Sequence, residues 1–197
     1  MARIPYPEFD REFRMPTPIY GDPQDASLLN VFRMLGHSPA LLTAVANIGF
    51  TQLTEGELTD ADRELVILAS SRRFGSDYVW AQHEQLGAEF GISADQLAAL
   101  CTHDLAASCF DRPQQNLLAL VAETAAGAEV DAGLLERVRR DRGDRQIVEV
   151  IGLVGVYFLV SRITTTLGIE IDRRELDSTL SAVGQPENAP VTGPVPG

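Results

Sequence analysis

The chain has 197 residues, 45% of them apolar, and a net charge of −12, which fits one globular domain with a sizeable core and excludes global disorder. That acidic balance, with no basic run against it, argues against nucleic acid and against an anionic membrane surface as partners. All sixteen basic residues are Arg, so chemistry that needs a lysine Schiff base, a pyridoxal-phosphate lysine or a Walker-type lysine is excluded.

Residues 1–25 hold five prolines among aromatics and charges. This predicts an extended segment wrapped on the body by Tyr6, Phe9 and Phe13. Apolar residues at 28, 29, 31, 32, 34 and 35 predict a helix over 26–36, ended by Gly36. Ser38-Pro39 opens the next helix, to about Leu53. Thr59 or Asp60 caps DRELVILASSRRF, which Gly75 ends, and Ser76 or Asp77 caps DYVWAQHEQLGAEF, which Gly91 stops. A short helix from Ser93 to about Leu100 follows, then one from Pro113 to Ala126. Asp131 caps LLERVRR, and Asp144 caps a strongly apolar helix through about Leu167. Residues 173–197 end the chain as a Pro/Gly-rich tail expected to be disordered.

No period-2 strand pattern appears, so the expected fold is all-α, with the domain over 26–172. The helix 147–163 is apolar nearly all round, which predicts a central position or a shared subunit interface, and hence an oligomer. The longest apolar run, Val150 to Val160, is eleven residues, too short to span a bilayer. The N-terminus lacks the apolar core of a signal peptide, and two cysteines are too few for a secreted disulfide scaffold. A soluble cytoplasmic protein is expected. Three histidines without HxH or HExxH spacing argue against a dedicated metal site.

Two residues stand out, because Glu64 and His83 each sit in the apolar part of a helix. A lone carboxylate or imidazole there costs free energy unless something satisfies it. The helix–turn–helix brings their helices side by side, so the two can satisfy each other or a ligand. Such a pair suits proton transfer at neutral pH, since imidazole titrates near there and a carboxylate orients it. A structural pair that holds two helices in register has the same spacing, and spacing leaves both readings open.

The stretch LTDADRELVILASSRRFGSDYVWAQHEQLGAEFGISADQLAAL resembles the carboxymuconolactone decarboxylase family, whose all-helical fold is shared with alkyl hydroperoxidase D. NVFRMLGHSPALL resembles the family's upstream helices and IVEVIGLVGVYFLVSRITTTLGI its last core helix, so the likeness covers about 26–170. The peroxidase branch uses a Glu, a Cys-x-x-Cys pair and a His. On this sequence the Glu and His fall at Glu64 and His83, but the cysteine positions fall at Ser76 and Val79. Neither can cycle through a disulfide, so dithiol peroxidase chemistry is not expected at that place. Cys101 and Cys109 lie downstream with the wrong spacing and are read as buried structural cysteines.

The resemblance then implies cofactor-free, metal-free proton chemistry on a small organic acid or lactone, with His83 and Glu64 catalytic. Tyr78, Trp80 and Arg33 are the candidate substrate-binding residues, Arg33 as the carboxylate anchor. Trp80 also suits a packing role, and Arg72 and Arg73 suit a helix end. Glu149 and Tyr157 either close a pocket or bond across a subunit interface, the second being the expectation. The family implies a homo-oligomer, a trimer or hexamer. A peroxide-handling redox protein and a non-catalytic ligand-binding module are the alternatives, since fold membership does not fix function.

Overall fold

A computed structural model describes residues 1–172 except 11, 18–19, 25–27 and 128. The expected C-terminal tail lies outside the described residues, as does the start of the first expected helix. Seven helices run in order: α1 Asn30–Leu35, α2 Pro39–Thr54, α3 Asp60–Arg73, α4 Asp77–Glu89, α5 Ala94–Cys101, α6 Arg112–Ala126 and α7 Ala132–Leu167. The described residues hold no strand, as expected for an all-α fold.

Local signals set the helix starts. Thr59, Ser76, Ser93, Asp111 and Asp131 each accept a backbone N–H from the first turn of α3, α4, α5, α6 and α7, respectively. Ser93 with Gln96, and Asp111 with Gln114, form full capping boxes. One long helix stands where two were expected. It breaks at Gly143, whose φ of 80° only glycine adopts freely, and Asp144 takes the Arg139 guanidinium rather than capping. Gly36 has a right-handed φ of −56°, so its role is close approach: a Cβ there would stand 2.5 Å from the Phe9 ring.

The centre is α3, not α7. Every residue from Asp62 to Ser71 is buried, with α4, α6 and α7 packed around it. Its apolar run Leu65–Ala69 supplies the driving force, and each large side chain contributes about 1.5–3 kcal/mol on burial. Several of its polar residues are matched: Glu64 meets His83, Ser71 donates to the Leu68 carbonyl, and Asp62 accepts from α7. Arg142 grips Asp62 with two nitrogens, at 2.7 and 3.1 Å, and ties α3 to α7.

By length and hydropathy α7 resembles a membrane span, more than its eleven-residue run suggested. Ile147, Val150, Leu153 and Val154 are nevertheless buried against the core helices, as in the core helix of a globular domain. The opposite face leaves Val148, Ile151 and Phe158 exposed.

The N-terminal segment is strapped to the body as expected, with Tyr6, Phe9, Phe13, Met15 and Tyr20 against the core. Its first residues bind the segment that follows α7: Glu170 accepts from the Ala2 N–H and the Tyr6 hydroxyl, both at 2.8 Å. The Tyr6 hydroxyl and the N-terminal amine hold the Glu170 carboxyl down to about 2.

Candidate active site

α3 and α4 form an antiparallel hairpin about the Gly75 turn. At its open end Glu64 faces His83. Gly87, one turn beyond His83, permits the approach: a Cβ there would meet a Leu68 methyl at 3.0 Å and the Glu64 Cβ at 3.9 Å. Glu64 is 2% exposed, and its Oε2 lies 2.8 Å from His83 Nδ1. The other imidazole nitrogen, Nε2, lies 3.1 Å from the Tyr157 hydroxyl of α7. With Glu64 as the acceptor for the Nδ1 proton, the Nε2 lone pair faces the Tyr157 O–H. Burial, and then the charge of Glu64, push the Tyr157 phenol well above its usual range, so it stays a proton donor.

Tyr157 therefore corrects the expectation that it reaches across a subunit interface: it closes the pocket of its own chain. Glu149, two turns earlier, accepts from the backbone N–H groups of Glu57 and Leu58 and pairs with Arg145, so it steadies the approach to α3.

All three groups line a cavity of about 480 Å³. Its walls come from α1 (Val31, Phe32, Leu35), α2 (Val45, Gly49, Gln52), α3, α4, α7 and the N-terminal strap (Met15, Tyr20, Pro23). Apolar side chains dominate, with a few convergent polar groups, as in small-molecule sites. Along α4 the cavity side recurs at Val79, Gln82, His83, Leu86 and Phe90, a helical spacing.

Tyr78, one of the sequence candidates, also lines the cavity. Its hydroxyl is held by Asp172 at 2.5 Å and accepts the Val31 N–H at 3.3 Å, so it is pinned in place. Trp80 does not line the cavity. It lies on the flank of α4 that faces the last turn of α3, where the Arg72 guanidinium covers its ring at 4.0 Å. Arg33 is likewise outside. It points at the N-terminal strap, 4.8 Å above the Tyr6 ring, while Val31, Phe32 and Leu35 are the residues of α1 that face inward.

Arg63 and Tyr20 line the cavity and were not expected. Arg63 adjoins Glu64, and its adjacency within RELVIL was an available signal. Tyr20, in the proline-rich segment, had none. Burial raises the Tyr20 phenol above its ordinary range, against the pull of the Arg63 cation.

The positions that hold cysteines in the peroxidase branch are built differently here. The Ser76 hydroxyl caps the Val79 N–H and lies 3.0 Å from the Thr164 hydroxyl. Both cysteines are free and, against expectation, neither is buried: Cys101 is exposed at the end of α5 and Cys109 is half-buried in the loop before α6, and neither lines the cavity. Among the described residues no group of three His, Cys, Asp or Glu is placed to hold a metal ion.

Residues 39–123 match the carboxymuconolactone decarboxylase family. No curated protein matches the chain. Solved structures do. An AhpD-core, uncharacterized peroxidase-related protein from Ralstonia eutropha aligns with a TM-score of 0.69 at 20% identity, over 94% of this chain and 97% of that one. A peroxidase-related protein from Silicibacter aligns with a TM-score of 0.69 at 17% identity, over 87% and 92%. A variant of the debrominase Bmp8 in complex with 2,3,4-tribromopyrrole aligns at 0.63 and 14% identity, over 79% and 83%. At these identities the likeness establishes a shared fold.

Proposed function

We propose that this chain, which belongs to the carboxymuconolactone decarboxylase and AhpD-like superfamily, is a cofactor-independent acid–base enzyme acting on a small organic acid or lactone. The observation that carries the reading is the imidazole of His83. Both its nitrogens are engaged, by a buried carboxylate and by a phenol, at the wall of a mostly apolar cavity.

Glu64 fixes the ring and balances the positive charge that forms when Nε2 takes up a proton. In a decarboxylation, the bond to the departing carboxylate breaks and its electron pair stays on the substrate as a dienolate. The imidazolium, or the Tyr157 hydroxyl recharged through it, delivers the proton to carbon. The same parts serve an isomerisation, with Nε2 first taking the proton that it later returns. Apolar walls keep water from competing for the dienolate.

The dithiol redox alternative has less support, because a capping serine and a valine stand where the peroxidase branch needs thiols. The debrominase neighbour, with its bound bromopyrrole, makes a small planar ligand plausible for the fold without indicating which one.

The deciding experiment follows the ultraviolet signal of carboxymuconolactone with wild type, His83→Ala and Glu64→Ala, each checked for folding. Turnover in wild type that collapses in both variants supports the reading. Turnover that survives His83→Ala overturns it. A wild type inactive on this lactone and on related unsaturated acids, yet able to bind them, points to the ligand-binding module instead.

We further propose a cytoplasmic homo-oligomer, a trimer or hexamer, packed on the exposed apolar face of α7. Light scattering of wild type and Val148→Glu tests it: a wild-type monomer removes the idea, and an oligomer that Val148→Glu dissociates supports it.

A further inference from the structure

We propose that Arg63 anchors an anionic group in the cavity, and that the cavity selects small unsaturated or aromatic carboxylic acids over their neutral esters. The inference rests on the acid–base reading, to which it adds the charge of the substrate and its point of attachment.

Arg63 is 4% exposed, yet its guanidinium is always charged. One nitrogen, Nη2, donates to Asp60 at 2.6 Å, a carboxylate that is itself nearly half exposed. Its Nε is buried and has no partner. Buried donors in proteins are nearly always matched, so an unmatched one in the wall of a cavity points to an oxygen supplied from the cavity.

Three other arginines have a buried, unmatched Nε: Arg72, Arg137 and Arg142. Arg72 lies on Trp80, Arg142 holds Asp62 with its other nitrogens, and Arg137 borders a separate groove of about 280 Å³. None of them lines the large cavity; Arg63 does.

A second donor stands in the same cavity. The Tyr20 hydroxyl makes no hydrogen bond among the described residues, and Gly49 gives it room, since a Cβ there would overlap it. A planar guanidinium fork beside a phenol suits the two oxygens of a carboxylate, and the Phe32, Leu35 and Leu86 side chains suit a flat apolar body. The Glu64 carboxylate is engaged on its other side, with Oε2 2.8 Å from His83 Nδ1.

The test is a titration of arginine-labelled wild-type protein, reading the Arg63 Nε–H signal, with benzoate, cis,cis-muconate and methyl benzoate as probes. The two acids are expected to shift that signal and the ester to leave it in place. Arg63→Met is expected to weaken acid binding by about 10- to 100-fold, with Arg63→Lys in between. His83→Ala is expected to lose turnover and keep acid binding, which separates this inference from the acid–base reading. A signal that neither acid moves at about 10 mM, or an ester that binds as well as its acid, overturns the assignment. So does a folded Arg63→Met that binds benzoate like wild type. Should Arg63→Met fail to fold, the wild-type titration decides alone.

Discussion

The α3–α4 hairpin carries a buried polar cluster at each end, and both clusters reach α7. At the turn, Ser76 binds Thr164 and caps α4, Ser71 returns its hydroxyl to the Leu68 carbonyl, and Arg72 is seated on Trp80. At the open end, Glu64 binds His83, and His83 meets Tyr157. The two anchor points on α7, Thr164 and Tyr157, are two turns apart on one helix. The turn end is short hydroxyls, and Ser71, Ser76 and Thr164 stand outside the cavity. The open end is titratable groups beside about 480 Å³ of space. Polarity alone does not make a site in this fold; groups that can change protonation, next to room for a ligand, do.

Substitutions at the two ends should therefore separate activity from stability. His83→Ala or Glu64→Ala is expected to lower kcat by about 10²–10⁴-fold in steady-state assays, while circular dichroism stays native. Comparable activity in His83→Ala would erase the distinction between the ends.

Tyr157→Phe keeps the ring and removes the hydroxyl. It should cost about tenfold in kcat, the worth of one hydrogen bond near 1.4 kcal/mol, whereas Thr164→Val, two turns on, should leave kcat unchanged.

Alkali should attack the open end first. Tyr20 and Tyr157 have phenols raised by burial, with Glu64 adding to the shift at Tyr157, while the serines and threonine of the turn do not titrate. A raised folded pKa means the native state holds its protons more tightly than the unfolded chain. Their contribution is full below about pH 10, where unfolded tyrosine titrates, and is lost as the pH rises from there toward the folded values. Urea unfolding at pH 8 and at about pH 10.5 should show the decline, and Tyr157→Phe should shrink it.

The smallest effect belongs to the turn. Ser76→Ala should reduce stability by about 1 kcal/mol through loss of the cap, with kcat and KM untouched; a fall in kcat would place the turn within the site.

Much of this was legible in the residues. The starts of α3 to α7 followed side-chain caps, because a cap is a contact between residues two or three apart, whereas Ser38 opens α2 without a side-chain cap bond. The α3–α4 pair was legible for a similar reason. A hairpin about Gly75 leaves little freedom in how two short helices meet, so Glu64 and His83, nineteen residues apart, were placed together correctly. Trp80 and Arg33 were misplaced because a helical face is broad: both lie on the correct helices but point to the flank, where Arg72 and Tyr6 cover or meet them. Tyr157 was seen as a candidate and given the wrong destination.

Sequence alone determined the helical order, the hairpin and the two residues whose burial needed a partner, since those rest on local periodicity and short loops. Tertiary structure decided which helix is central and that a tyrosine 74 residues after His83 completes its hydrogen bonds. It also decided that Tyr20 and Arg63 share a cavity with that pair. Such contacts depend on how separate helices and the strap pack against each other. Packing angles and empty volume are set by all the side chains together, so no single stretch of sequence encodes them.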